Sequence, residues 1–93
     1  MNKTENLTIK ETFALAVQNH QKNNLQVAEN LYKEILKTNP NHIETIFLLG
    51  SLSAQTNNFD KAKKFFQKAI QINPNHVTAH NNLGNALKVL GEQ

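Results

Sequence analysis

The sequence predicts an all-α fold: a solenoid of antiparallel helix hairpins, with about five helices. Three observations predict it. The chain repeats itself at an offset of 34 residues, each copy divides into two amphipathic halves, and asparagine- or proline-containing pairs fall where those halves must turn. A hairpin of two helices leaves an apolar face uncovered, so repeated hairpins gain stability by stacking.

Residues 9–42 align on residues 43–76 without a gap. The eleven identities run from Ile9/Ile43 and Phe13/Phe47, through Asn23-Asn24 and Asn57-Asn58, to a shared Asn-Pro-Asn-His at 39–42 and 73–76. Residues 77–93 begin a third copy and stop halfway. The expected organisation is therefore a polar segment at 1–8, full repeats at 9–42 and 43–76, and a partial repeat at 77–93.

The first helix is expected at 9–22, opened by Thr8 and Glu11 in the spacing of a capping box. Asn23-Asn24 closes it, because asparagine tolerates the left-handed conformation that ends a helix. A second helix follows at 25–38, and Pro40 prevents its continuation. The third, at 43–56, carries Ile46, Leu49 and Leu52 at helical spacing, with Asn41 and Glu44 placed as a second capping box. Asn57-Asn58 turns the chain into a fourth helix at 59–72, whose apolar face is Phe59, Ala62, Phe66, Ala69 and Ile70. After Pro74 a fifth helix is expected at 77–90, with Leu83, Leu87 and Leu90 along one side and Gly91 supplying the turn.

Composition narrows the function. Ninety-three residues make one domain. The absence of cysteine excludes disulfides, thiolate nucleophiles and cysteine-ligated metals. The polar start MNKTENLTIK lacks the apolar core of a secretory signal, and no run of about 18 apolar residues follows; a cytoplasmic protein is the expectation. The net charge is only +3, and every basic residue is lysine. Arginine is the preferred bidentate reader of phosphate and guanine, so its absence argues against nucleic-acid recognition. Asparagine, lysine and isoleucine are used heavily, as in chains from A+T-rich bacterial genomes.

The 34-residue period and the helix–turn–helix unit resemble the tetratricopeptide repeat. Counted from Ile43, the family's small and apolar positions hold Leu49, Gly50, Ala62, Phe66, Ala69 and Pro74. Counted from Ile9, they hold Leu15, Ala16, Ala28, Tyr32, Ile35 and Pro40; the partial copy supplies Leu83, Gly84 and Leu87. The pattern departs from the family where Thr12, Ile46 and His80 replace its tryptophan and where Ile35 replaces an alanine.

The resemblance implies a right-handed superhelical solenoid with a concave groove lined by the first helix of each hairpin, which holds a protein or peptide partner. Carried over position by position, that groove takes Lys10, Phe13, Val17, His20 and Gln21 from the first copy. The second copy contributes Glu44, Phe47, Leu48, Ser51 and Gln55, and the third Asn81, Asn82, Asn85 and Lys88. One end is apolar, through Phe13, Val17, Phe47 and Leu48, and the other is rich in amides. Asparagine offers a donor and an acceptor together and so can grip a peptide backbone. The Asn82 position resembles the asparagine ladder of repeat domains in some protein glycosyltransferases, which Ala14 and Leu48 interrupt here. The packing alternative for Phe13 and Phe47 is contact with neighbouring helices. The lysine and asparagine clamp that repeat domains use on chaperone tails is missing, since Phe13, Val17 and Leu48 occupy those places.

No catalytic residue, cofactor or metal is expected. Ser51 and Ser53 lack a paired histidine and acid, no glycine-rich phosphate loop is present, and the module is read as non-enzymatic. His42 and His76 lie one repeat apart, and packed helices about 8–10 Å apart separate them too far to share an ion with bonds of about 2 Å. Lys61, Lys63, Lys64 and Lys68 form a basic run of the kind that is usually a solvated helix face.

Helix 77–90 keeps an apolar stripe where arrays of this kind end in a polar-faced cap. It is expected to serve as an imperfect cap, to self-associate through Leu83, Leu87 and Leu90 as a homo-oligomer, or to continue into a longer protein. The last option defines the alternative function: an N-terminal substrate-presenting module of a larger glycosyltransferase, sulfotransferase or methyltransferase.

Overall fold

Asparagine at two equivalent places sets the hairpin turns. Asn23 and Asn57 adopt φ of 66° and 63°, the left-handed region that asparagine tolerates better than most side chains. In a computed structural model, described over residues 7–92, the elements are α1 (Ile9–Gln21), α2 (Leu25–Thr38), α3 (Ile43–Gln55), α4 (Phe59–Ile72) and α5 (Val77–Leu90). Residues 1–6 of the expected polar segment, and Gln93, lie outside the described residues. No strand occurs among the described residues. Helices α1 and α3 end one residue before their expected limits, because Lys22 and Thr56 serve as their C-caps.

The chain divides into two units, Met1–Pro40 and Asn41–Gln93. In the first, α1 and α2 pack against each other. The expected capping box opens α1. The Glu11 N–H donates to Thr8 Oγ1 at 3.1 Å and the Thr8 N–H donates to Glu11 Oε1 at 3.0 Å. Hydrogen bonding by the Thr8 backbone, and secondarily by its hydroxyl, holds the Glu11 carboxyl below the usual range. Ala16, Ala28, Tyr32 and Ile35 form the buried centre. The small alanines let the helices approach while Tyr32 supplies most of the volume. Burial pushes the Tyr32 phenol up to about 12, and its hydroxyl pairs with His20 Nδ1 at 2.9 Å.

In the second unit α4 packs between α3 and α5, and α3 also touches α5. Ile46, Leu49, Leu52, Ala62, Phe66, Ala69, Ala79 and Ala86 are buried. Gly50 has no side chain because the Phe66 ring occupies that space: a Cβ there would stand 2.6 Å from Phe66 Cε1. The requirement comes from a ring pressed on a helix rather than from contact between two backbones.

The second capping box does not form. His42, not Asn41, is the N-cap of α3, and no side chain caps it; His42 Nδ1 instead pairs with the buried Thr45 hydroxyl at 2.8 Å. The equivalent His76 does cap α5, accepting from the Ala79 N–H at 3.1 Å through Nδ1. Gly91, at φ 72°, closes α5 in the left-handed conformation that glycine adopts without strain. Beyond it Glu92 accepts from Lys63 Nζ at 2.7 Å, tying the loop after α5 to α4. That bond, first, and the Glu92 charge raise the Lys63 pKa. One lysine of the expected basic run is thereby neutralised; Lys64 and Lys68 face solvent.

Candidate functional site

Helical spacing puts Asn82, Asn85 and Ala86 on one side of α5, and Ser51 and Ala54 on one side of α3. These two faces, with the start and middle of α4, line an open cavity of about 200 Å³. Ser51, Asn82 and Asn85 contribute its polar groups. Ala54, Phe59, Phe66 and Ala86 contribute its apolar wall. Asn82 is half-buried and Asn85 exposed, and neither amide is hydrogen-bonded among the described residues. The site combines an apolar wall with open amides, the usual composition of a pocket that orients an organic group by a few polar contacts.

Of the residues singled out from sequence, the structure therefore brings together Ser51, Asn82 and Asn85. Elsewhere on α3, Glu44 and Gln55 are exposed, while Phe47 and Leu48 are half-buried. Phe47 has packing partners: its ring lies 5.8 Å from Phe66 and stacks on His76 at 4.9 Å and 28°. On α5, Asn81 and Lys88 are exposed. In the first unit, Lys10 and Gln21 are exposed and Phe13, Val17 and His20 half-buried. Phe13 rests 6.4 Å from the Tyr32 ring, and His20 meets the same ring edge-on at 5.8 Å. Both phenylalanines thus pack on the second helix of their own hairpin and retain partial exposure. Leu83, Leu87 and Leu90 are half-buried along α5.

Sequence reasoning missed Phe59, Phe66 and Ala86 as walls of the site. Ala86 was open to inference, since it lies four residues after Asn82 on the same face and is too small to fill the space before it. Phe59 reaches the cavity from the first residue of α4, a position that periodicity alone assigns to the core.

Among the described residues no three His, Cys, Asp or Glu side chains gather as a metal site, and no helix is long and apolar enough to cross a membrane. The histidines act as local hydrogen-bonding groups. His80 Nε2, for example, donates to the Pro74 carbonyl at 2.8 Å.

The repeated helix hairpins define an all-α helical-repeat scaffold of the solenoid class, and the second unit carries the cavity on α3, α4 and α5. The tetratricopeptide repeat profile matches residues 20–83, and the chain belongs to the tetratricopeptide repeat family. Among solved structures it is similar to MamA, with a TM-score of 0.87 at 21% identity over 91% of this chain and 50% of that one. It is similar also to an O-GlcNAc transferase mutant of Thermobaculum terrenum, with a TM-score of 0.85 at 26% identity, covering 99% of this chain and 18% of the transferase. A tetratricopeptide repeat domain protein from Salinibacter ruber matches over 92% of this chain and 100% of its own, with a TM-score of 0.71 at 24% identity. The chain thus spans about half the length of MamA. No curated protein sequence matches significantly.

Proposed function

We propose that this chain is a protein-interaction module that holds an extended peptide segment of another protein against the first helices of the repeat at 43–76 and of the partial repeat at 77–93. The observation that carries the reading is the cavity on α3 and α5: two unengaged asparagine amides beside an apolar wall. An extended peptide presents one N–H and one C=O per residue, and a side-chain amide matches both. The wall made by Ala54, Phe59, Phe66 and Ala86 accepts one small apolar side chain of the same peptide. Affinity then comes from backbone contacts and one anchor, with little demand on the remaining sequence. Phe47 and Leu48 extend the apolar part of this face along α3. The module holds a partner and supplies no chemistry of its own.

Asn82→Ala tests the reading. In peptides selected from a random library for binding to the chain, each lost neutral hydrogen bond corresponds to roughly 0.5–1.5 kcal/mol. Calorimetry should therefore show affinity falling roughly threefold to tenfold, with helicity by circular dichroism unchanged. N-methylation of the peptide amide facing Asn82 should have the same effect on the unaltered chain. Selected peptides that bind equally well to the Asn82→Ala variant would remove the basis of the proposal.

One observation favours a second reading, in which the same face presents substrate to an enzyme. Nearly the whole chain matches a segment that is 18% of an O-GlcNAc transferase. On that reading the bound segment is a polypeptide awaiting modification by a catalytic domain in the same protein.

A further inference from the structure

The first hairpin shows what can fill the cavity of the second. On α1, His20 covers one side of Tyr32: the two rings meet edge-on with centroids 5.8 Å apart, and His20 Nδ1 pairs with the phenol hydroxyl at 2.9 Å. The equivalents 34 residues on are Ala54 and Phe66. Ala54 has only a methyl group where His20 has an imidazole, and Phe66 lacks the hydroxyl. Both line the cavity of about 200 Å³, so the second hairpin is open at the place that a five-membered ring fills in the first. The lining comes from three consecutive helices, α3, α4 and α5, and contains no charged side chain.

We propose, resting on the peptide-holding function above, that this cavity is a socket for a proline of the bound segment and that Ala54 is the residue that admits it. A pyrrolidine ring has the five-membered size of the imidazole that fills the equivalent space. Phe66 offers no hydroxyl, so the ring that sits against it is apolar. A charged side chain would lose its hydration there without gaining a partner. Proline also brings no N–H, so no peptide donor is left unpaired against the wall of Ala54, Phe59, Phe66 and Ala86. The carbonyls flanking the ring meet Ser51, Asn82 and Asn85, whose donors are unengaged among the described residues. A segment containing proline is already extended before it binds, which lowers the entropy lost on ordering. Valine and leucine supply apolar surface but keep both the N–H and the backbone freedom.

The test is a random-peptide selection run in parallel on the parent chain and on Ala54→His, which writes the first hairpin's residue into the second. Peptides selected on the parent should share a proline at one position. Replacing that proline by alanine or by glutamate should weaken binding to the parent roughly tenfold or more. Ala54→His should bind the same proline peptide more weakly by a similar factor, and its own selected peptides should lack the shared proline. Circular dichroism should show parent helicity, because α1 carries histidine at the same place. The peptide substitutions read the socket on the unaltered chain even if Ala54→His does not fold. The proposal is overturned by parent-selected peptides that share no proline, by an alanine version that binds equally well, or by a folded Ala54→His chain that binds the proline peptide as the parent does. Where such peptides still weaken on Asn82→Ala, the peptide-holding function stands and only the proline socket falls. Peptides indifferent to Asn82→Ala, or a selection without binders, remove both.

Discussion

Replacing Phe66 by alanine is expected to destabilise the protein by about 3–5 kcal/mol, the cost of deleting a buried aromatic side chain that its surroundings do not collapse to refill. The ring is 1% exposed, lies over Gly50, contacts Phe47 at 5.8 Å and forms part of the cavity wall. Its removal joins the vacated space to a cavity already present, and refilling would require α3, α4 and α5 to move together. Against a total of about 5–15 kcal/mol for a typical domain, the variant should be marginal at 37 °C. Urea denaturation followed by circular dichroism measures the loss. The partner position supplies an internal check. Gly50→Leu should be destabilising alone, because its side chain has no room, yet the double variant should be more stable than the sum of the two losses. A Phe66→Ala loss below about 1 kcal/mol would mean that the ring does not set the spacing of the hairpin.

Tyr32→Ala is the second large effect, again about 3–5 kcal/mol, for a side chain that is 0% exposed. It also removes the 2.9 Å hydroxyl partner of His20. Tyr32→Phe separates the two contributions: it keeps the packing and should cost only about 1 kcal/mol. The phenol gives a pH signature as well. Its pKa is raised to about 12 by burial, against about 10 for an unfolded tyrosine. A group whose pKa is raised in the folded state contributes stability that is complete below the unfolded value and lost as pH rises through the folded one. Stability should therefore fall between about pH 10 and 12 in the parent, and Tyr32→Phe should remove this part of the decline. Thermal melts across that range, read for both proteins, provide the comparison. Equal cost for the alanine and phenylalanine variants would show that the hydrogen bond, not the ring, matters at this position.

Much of the fold was legible because local chemistry and the global pattern agree. Asn23 and Asn57 mark the hairpin turns through a backbone conformation that asparagine tolerates and most residues avoid. Thr8 and Glu11 mark a helix start through reciprocal hydrogen bonds that need only local sequence. Asn41 and Glu44 carried the same spacing without the same outcome. Asn41 falls in the turn directly after Pro40, so the helix begins two residues later, with His42 as its cap. Spacing reports which partners are in reach, and the turn decides which one lies at the helix start.

The site was legible one helix at a time. Ser51, Asn82 and Asn85 emerge from family position, but the cavity between them depends on where Phe59 and Phe66 of α4 place their rings. Likewise Lys63 reads as one more charge in a basic run. Its neutralisation by Glu92, 29 residues away, depends on the packing of α4 on α5. Gly50, under the Phe66 ring, and Gly84, with nothing within 4 Å of its Cβ position, are in sequence the same small residue of equivalent positions; their difference appears only when their neighbours are placed.

The most direct test of the central claim is chemical-shift mapping of the labelled chain with the tightest peptide selected from a random library. A peptide-binding first-helix face predicts shifts concentrated at Ser51, Ala54, Asn82 and Asn85, with the Asn82→Ala variant responding more weakly. Shifts confined to the lysine-bearing face of α4, or a selection that yields no specific binder, would contradict it.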